Sequence, residues 1–231
     1  MAFPIPGRKM FGKRQEIIMR KKKRKYVILS LVLCLAFSQP LGISAQEGAE
    51  AAVEPICDEE IPASSKAAFY VECNRLPEYL KEIVSGSGVT FYLDSGREHT
   101  GINTGLFTAW VPMGEYDYDY SIHIDSSRTY NVAFATLHEI GHLADCILGE
   151  VSGNMGSYYS AVSGFSQIYQ AEATSSGLGK YAASSSSEYF AEAFKIYFQD
   201  PGRLQKDAPL TYQYVENICT LLSGIDLNPA V

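Results

Sequence analysis

The sequence predicts an α+β fold in which a few short strands come first and a mainly helical half follows. Three observations carry this expectation. Residues 116–125 alternate strictly: Tyr116, Tyr118, Tyr120, Ile122 and Ile124 share one face, and Asp117, Asp119, Ser121, His123 and Asp125 share the other, the two-residue period of a strand with one wet face. From Asn131 the period changes, with Val132, Ala135, Leu137, Ile140, Leu143 and Ile147 recurring at helical spacing. Strands are grouped ahead of helices rather than alternating with them, which argues against a parallel α/β sheet.

The elements follow in order. Residues 20–25 are all Arg or Lys, residues 26–37 are apolar, and a short polar stretch ends in Ser44-Ala45. That is the layout of a secretory signal peptide over residues 1–45. Its apolar run falls short of the roughly 20 residues that span a bilayer; an uncleaved anchor is the alternative. Residues 46–62 are rich in Ala and Glu and read as a flexible acidic linker. One domain, 63–231, follows. Within it, 64–74 and 77–84 read as helices, the second with Pro77 at its first turn. Residues 89–93 and 106–111 read as strands, joined by the alternating 116–125. The periodic helix runs over 131–148, a Gly/Ser loop over 149–159, a helix over 161–173 and a small-residue loop over 174–186. A strong helix at 187–198 stops at Asp200-Pro201-Gly202, and 209–222 form the last helix.

Charge narrows the partners. Of 19 basic residues ten lie in the first 45, leaving nine; of 26 acidic residues one lies there, leaving 25, so the mature chain carries −16. Such a surface repels phosphate backbones, excludes nucleic acid as a partner and favours a neutral or basic substrate. Four cysteines remain after the leader: Cys57, Cys73, Cys146 and Cys219. An even number in an exported chain permits two disulfides, Cys57–Cys73 and Cys146–Cys219 being the preferred pairing and buried free thiols the alternative. With no CxxC spacing, a thiolate metal site is not indicated.

The chemistry is concentrated in His138-Glu139-Ile140-Gly141-His142. Residues four apart on a helix share a face, about 6 Å apart along the axis, so two imidazoles can grip one metal ion. Glu139 then projects beside the ion, where a carboxylate can take a proton from water. A catalytic zinc needs a third protein ligand. No histidine follows His142, so the third ligand is a carboxylate on a later element. Glu188 and Glu192 sit four apart on the 187–198 helix; Glu188 is assigned as the ligand and Glu192 as the group that hydrogen-bonds a ligand imidazole from behind. Asp145 orients His142, caps the helix end or is simply an exposed helix residue. His99 and His123 read as surface histidines, and the Asp117/Asp119/Asp125 face as a solvated strand face.

The stretch Tyr181-Ala-Ala-Ser-Ser-Ser-Ser-Glu188-Tyr-Phe-Ala-Glu192-Ala-Phe194 resembles the C-terminal signature of the anthrax lethal factor peptidase domain, whose family includes the small secreted Pro-Pro endopeptidases. The likeness continues through Ala208-Pro209-Leu-Thr-Tyr-Gln-Tyr214, takes in the His138–His142 motif, and covers about residues 75–222. It implies a zincin-like fold of the gluzincin type, a small mixed sheet followed by the active-site helix. It implies one zinc ion on His138, His142 and Glu188, with Glu139 as catalytic base. It further implies that Tyr181 donates a hydrogen bond to the developing oxyanion and that Trp110 holds proline rings of the substrate. One pair departs from the pattern: where the family has a Lys two before that Trp and a Glu just before the third ligand, this chain has Thr108 and Ser187. The expectation is a secreted, monomeric zinc metalloendopeptidase acting on extracellular proteins, with Pro-Pro sites as the finer reading and no stable membrane association after leader cleavage. The alternatives are an inactive peptidase-fold binding module and a cell-wall peptide amidase.

Overall fold

A computed structural model describes residues 53–57, 61–94, 104–110, 119–154 and 157–225. The expected leader, most of the linker, His99 and Asp117 lie outside the described residues. Among the described residues four strands form one sheet: β1 (Ile56–Cys57), β2 (Thr90–Asp94), β3 (Gly105–Trp110) and β4 (Asp119–Asp125). Helices α1 (Ala63–Cys73) and α2 (Glu78–Gly86) lie between β1 and β2 in sequence. After β4 come α3 (Thr129–Val151), the short α4 (Tyr159–Val162), α5 (Phe165–Glu172), a 3-10 turn (Ala182–Ser184), α6 (Ser186–Gln199), α7 (Pro201–Asp207) and α8 (Pro209–Ser223). Among the described residues no helix is long and apolar enough to cross a membrane.

The sheet is mixed, in the order β1-β2-β4-β3. β1 and β4 run parallel to β2, and β3 pairs antiparallel to β4 with Phe107 opposite Ile122 and Trp110 opposite Asp119. The alternation of β4 is realised: Tyr120, Ile122 and Ile124 are buried while Asp119 is exposed. α3 packs on this sheet through β3 and β4, and α1 and α6 pack against α3 as well. The consequence is a helix buried on all sides; every residue from 135 to 149 is buried, as a helix enclosed by other elements must be.

Gly141 makes the closest of these contacts possible. A Cβ at this position would lie 3.0 Å from the Ala191 Cα and 3.2 Å from the Ala191 carbonyl oxygen on α6. Two small residues thus let the backbones of α3 and α6 approach, with Glu188 and Glu192 on either side of the crossing.

Three local expectations change. Residues 56–57 of the expected linker are strand β1, added to the sheet edge beside β2. Asp200-Pro201-Gly202 ends α6 but also begins α7. Pro201 occupies the first turn, where its missing N–H costs nothing, and the Asp200 side chain caps the Arg203 N–H. The single helix expected over 161–173 is two, separated where Gly164 takes φ +84°, a left-handed conformation natural to glycine.

The preferred disulfides are not formed: the four cysteines among the described residues are free. Cys146 neighbours Tyr120, whereas Cys219 hydrogen-bonds Tyr79 of α2, so the two thiols are committed to different surroundings. The Cys57 thiol points to the Pro55 carbonyl at 3.6 Å. Burial pushes the Cys73 and Cys146 thiols up to about 12 and Cys219 up to about 11, far from the thiolate that reacts with electrophiles.

Two measurements check this packing. Iodoacetamide at pH 8 should leave Cys73, Cys146 and Cys219 unmodified in the native protein and modify all three after denaturation without reductant, as read by mass spectrometry. Gly141→Val should force α3 from α6 and destabilise the protein by about 1–3 kcal/mol, as measured by chemical denaturation.

Candidate metal centre

The centre is built on the α3–α6 crossing. His138 and His142 lie one turn apart on α3 and are buried, 3% and 6% exposed. Glu188 is held in the first turn of α6 by the serine run before it: the Ser185 side chain caps the helix and accepts the Glu188 N–H at 3.1 Å. The Glu188 side chain is thereby free to reach across to α3. Its Oε2 lies 3.0 Å from His138 Nε2 and 3.4 Å from His142 Nε2.

Those distances fit a metal ion. In a tetrahedral site with bonds of about 2.0–2.1 Å, neighbouring donor atoms are roughly 3.3 Å apart. The donors of His138, His142 and Glu188 all lie within 4.8 Å of one another. Among the described residues no other cluster has this property. The second ring nitrogen of His138 is also placed for the task, with Nδ1 3.1 Å from Glu192 Oε2. A carboxylate behind an imidazole fixes its tautomer and turns Nε2 toward the ligand position. Glu192 is anchored in turn, with Oε1 2.6 Å from Lys195 Nζ, which sits 3.6 Å over the Phe134 ring.

The electrostatics show the same preference for positive charge. Burial opposes the charged form of His138, but its hydrogen bonds to Glu188 and Glu192 prevail and raise its pKa to about 9. Burial would push the Glu188 carboxyl up, yet hydrogen bonds from His138 and His142 hold it well below the usual carboxylate range. Glu192 is also lowered, burial again being overcome by His138 and Lys195. A carboxylate cluster that stabilises a proton on His138 stabilises a divalent cation for the same reason.

Glu139 is buried next to the two histidines, and burial raises its pKa above the ordinary value. The Phe107 backbone N–H donates to it from β3. Tyr181 precedes the 3-10 turn; its ring centroid is 5.8 Å from that of His138, and its hydroxyl hydrogen-bonds Glu188. With half of its surface exposed, Tyr181 borders the centre on the solvent side.

The structure therefore brings together His138, Glu139, His142, Tyr181, Glu188 and Glu192, from three separate stretches of chain. Trp110 is not among them. Alternate strand residues point to opposite faces, and Phe107, whose ring stacks toward His142, is on the other face of β3 from Trp110. Trp110 is 57% exposed at the strand end. Thr108 hydrogen-bonds Ser121 and Ser187 meets Ser185, so the Thr108 and Ser187 positions do not pair with each other. Asp145 does not orient His142; it accepts the Ser160 N–H and hydroxyl and ties α4 to α3. His123 stacks on Tyr92 and meets Asp94 at 3.2 Å, away from the centre.

Sequence reasoning missed three neighbours. The rings of Phe107 and Tyr158 flank His142, with centroids at 6.4 and 5.8 Å, and Lys195 backs Glu192. Nothing in their spacing marks Phe107 or Tyr158. Lys195 carries one signal, a position three after Glu192 on a helix that reads as buried.

Comparison with known proteins finds a family and a solved structure that the chain resembles. Residues 104–218 match the family described as anthrax toxin lethal factor, N- and C-terminal domain. Among solved structures the chain is similar to the Pro-Pro endopeptidase (PPEP-2) from Paenibacillus alvei, at 21% identity, with 71% of this chain and 96% of that one covered and a TM-score of 0.46. No curated protein sequence matches the chain.

If the three donors hold an ion, Glu188→Ala should lower affinity for zinc by more than the 10–100-fold typical of losing an outer partner, as measured by competition with a chromogenic chelator.

Proposed function

We infer that this chain, which belongs to the anthrax toxin lethal factor family through residues 104–218, is a zinc-dependent metalloendopeptidase. The observation that carries the reading is the convergence of His138 Nε2, His142 Nε2 and Glu188 Oε2 beside the buried carboxylate of Glu139. Two imidazoles and one carboxylate are a donor set that suits zinc and leaves a fourth position open.

Zinc at this site would polarise the scissile carbonyl and acidify the attacking water. The chain's own groups do the rest. Glu139 takes the proton from the attacking water and delivers it to the leaving amine. Its burial suits the task, since burial raises the carboxyl above its ordinary value and eases the later return of the proton. Tyr181 donates its hydroxyl to the oxyanion that develops on the carbonyl oxygen. In the resting arrangement that hydroxyl is bonded to Glu188, so it is already aimed at the centre. Glu192 keeps the His138 ring in register.

The finer parts of the proposal rest on sequence. Residues 1–45 act as an export signal, and the released monomeric chain works on extracellular proteins. Its net charge of −16 outside that segment favours neutral or basic substrates. Preference for proline next to the scissile bond rests on the family resemblance alone, since Trp110 lies on the face of β3 turned away from the centre.

Cleavage-site profiling of the purified chain with a combinatorial peptide library tests this. Hydrolysis of internal peptide bonds that stops on chelation supports the proposal; activity confined to purified cell wall overturns it. Glu139→Ala should lower turnover by about 10²- to 10⁴-fold with metal content unchanged by elemental analysis.

A further inference from the structure

The direction of the Glu139 side chain is not set by α3 alone. Carried on a buried helix between His138 and His142, the side chain lies against β3. There the strand begins at Gly105, and the Glu139 carboxylate occupies the space a side chain at that position would take. A Cβ on Gly105 would overlap Glu139 Oε1 and lie 2.9 Å from Glu139 Cγ. Two residues along the same face of the strand, the Phe107 N–H donates to the same carboxylate. Among the described residues β3 is the last strand of the sheet and pairs with β4 alone, so its other edge faces the carboxylate.

We propose that Gly105 is a positioning residue for the hydrolytic reaction: the missing side chain leaves a notch in β3 that, with the Phe107 N–H, holds the Glu139 carboxylate in its working direction. Gly105 is needed here for space. The notch lies against a flexible carboxylate and not against a rigid backbone, so an added methyl displaces Glu139 more readily than it unfolds the strand. The methyl would also sit 2.9 Å from the Ala135 Cβ of α3, and that part of the crowding is independent of Glu139.

The inference rests on the peptidase reading, and one set of variants separates the two. Gly105→Ala should lower kcat about 100-fold, the scale of a 1 Å misplacement of a reacting group, with KM and metal content unchanged. Glu139→Asp withdraws the carboxylate from the notch. In that background Gly105→Ala should lower kcat by less than about threefold, because the shorter side chain clears the methyl. The Asp background also keeps the test decisive if Gly105→Ala alone folds poorly: metal content and melting temperature of the double variant report whatever strain Ala135 contributes. If the wild type cleaves peptides and Gly105→Ala is equally fast, or if the methyl costs the same with Glu or Asp at 139, the positioning role is wrong while the peptidase reading stands. If the wild type cleaves no peptide, both fall.

Discussion

The contact on which the centre depends is the approach of two helix backbones at Gly141 and Ala191. A side chain larger than hydrogen at 141 would meet the α6 backbone within 3.0–3.2 Å. Because the two residues are small, α6 lies close enough for the carboxylates on either side of Ala191 to reach the imidazoles on either side of Gly141. Glu188 then meets His138 and His142, and Glu192 meets the far nitrogen of His138. The donor geometry is thus a result of helix packing, and interiors packed this densely resist relaxation.

This packing creates an electrostatic problem that the fold answers with partners. Glu139, Glu192, His138, His142 and Lys195 are all buried, and isolated charges in such surroundings would be costly. Each acquires a compensating neighbour. Lys195 sits between the Glu192 carboxylate and the face of Phe134, Glu192 sits between Lys195 and His138, and Glu188 accepts from both histidines. His142 differs: its Nδ1 has no hydrogen-bonding partner among the described residues, and its ring is flanked by Phe107 and Tyr158. One imidazole is thus oriented by a charged hydrogen bond and the other is flanked by aromatic rings.

β3 contributes to the centre on one face and turns away on the other. Gly105 and Phe107 lie toward Glu139 and His142, while Leu106, Thr108 and Trp110 share the face of the polar residues of β4. A single-residue offset along a strand exchanges these faces. That is why Trp110, close in sequence to residues that border the centre, is not gathered into it.

Much of this was legible beforehand because it is local. Two histidines four apart on a periodic helix fix a shared face whatever surrounds them, and Glu188 and Glu192 obey the same rule on a second helix. The wet and dry faces of β4 follow from alternation alone. Other features depend on what the chain meets later. Ile56 and Cys57 become a strand because β2 offers an edge, and the thiols stay free because their neighbours are Tyr79 and Tyr120 rather than each other. The kinds of donor and their spacing can be read along the chain, since helical and strand periods are properties of the local backbone. Which donors meet across some fifty residues, which face of β3 looks at them and where Glu139 points follow instead from close packing between elements, which no local period encodes.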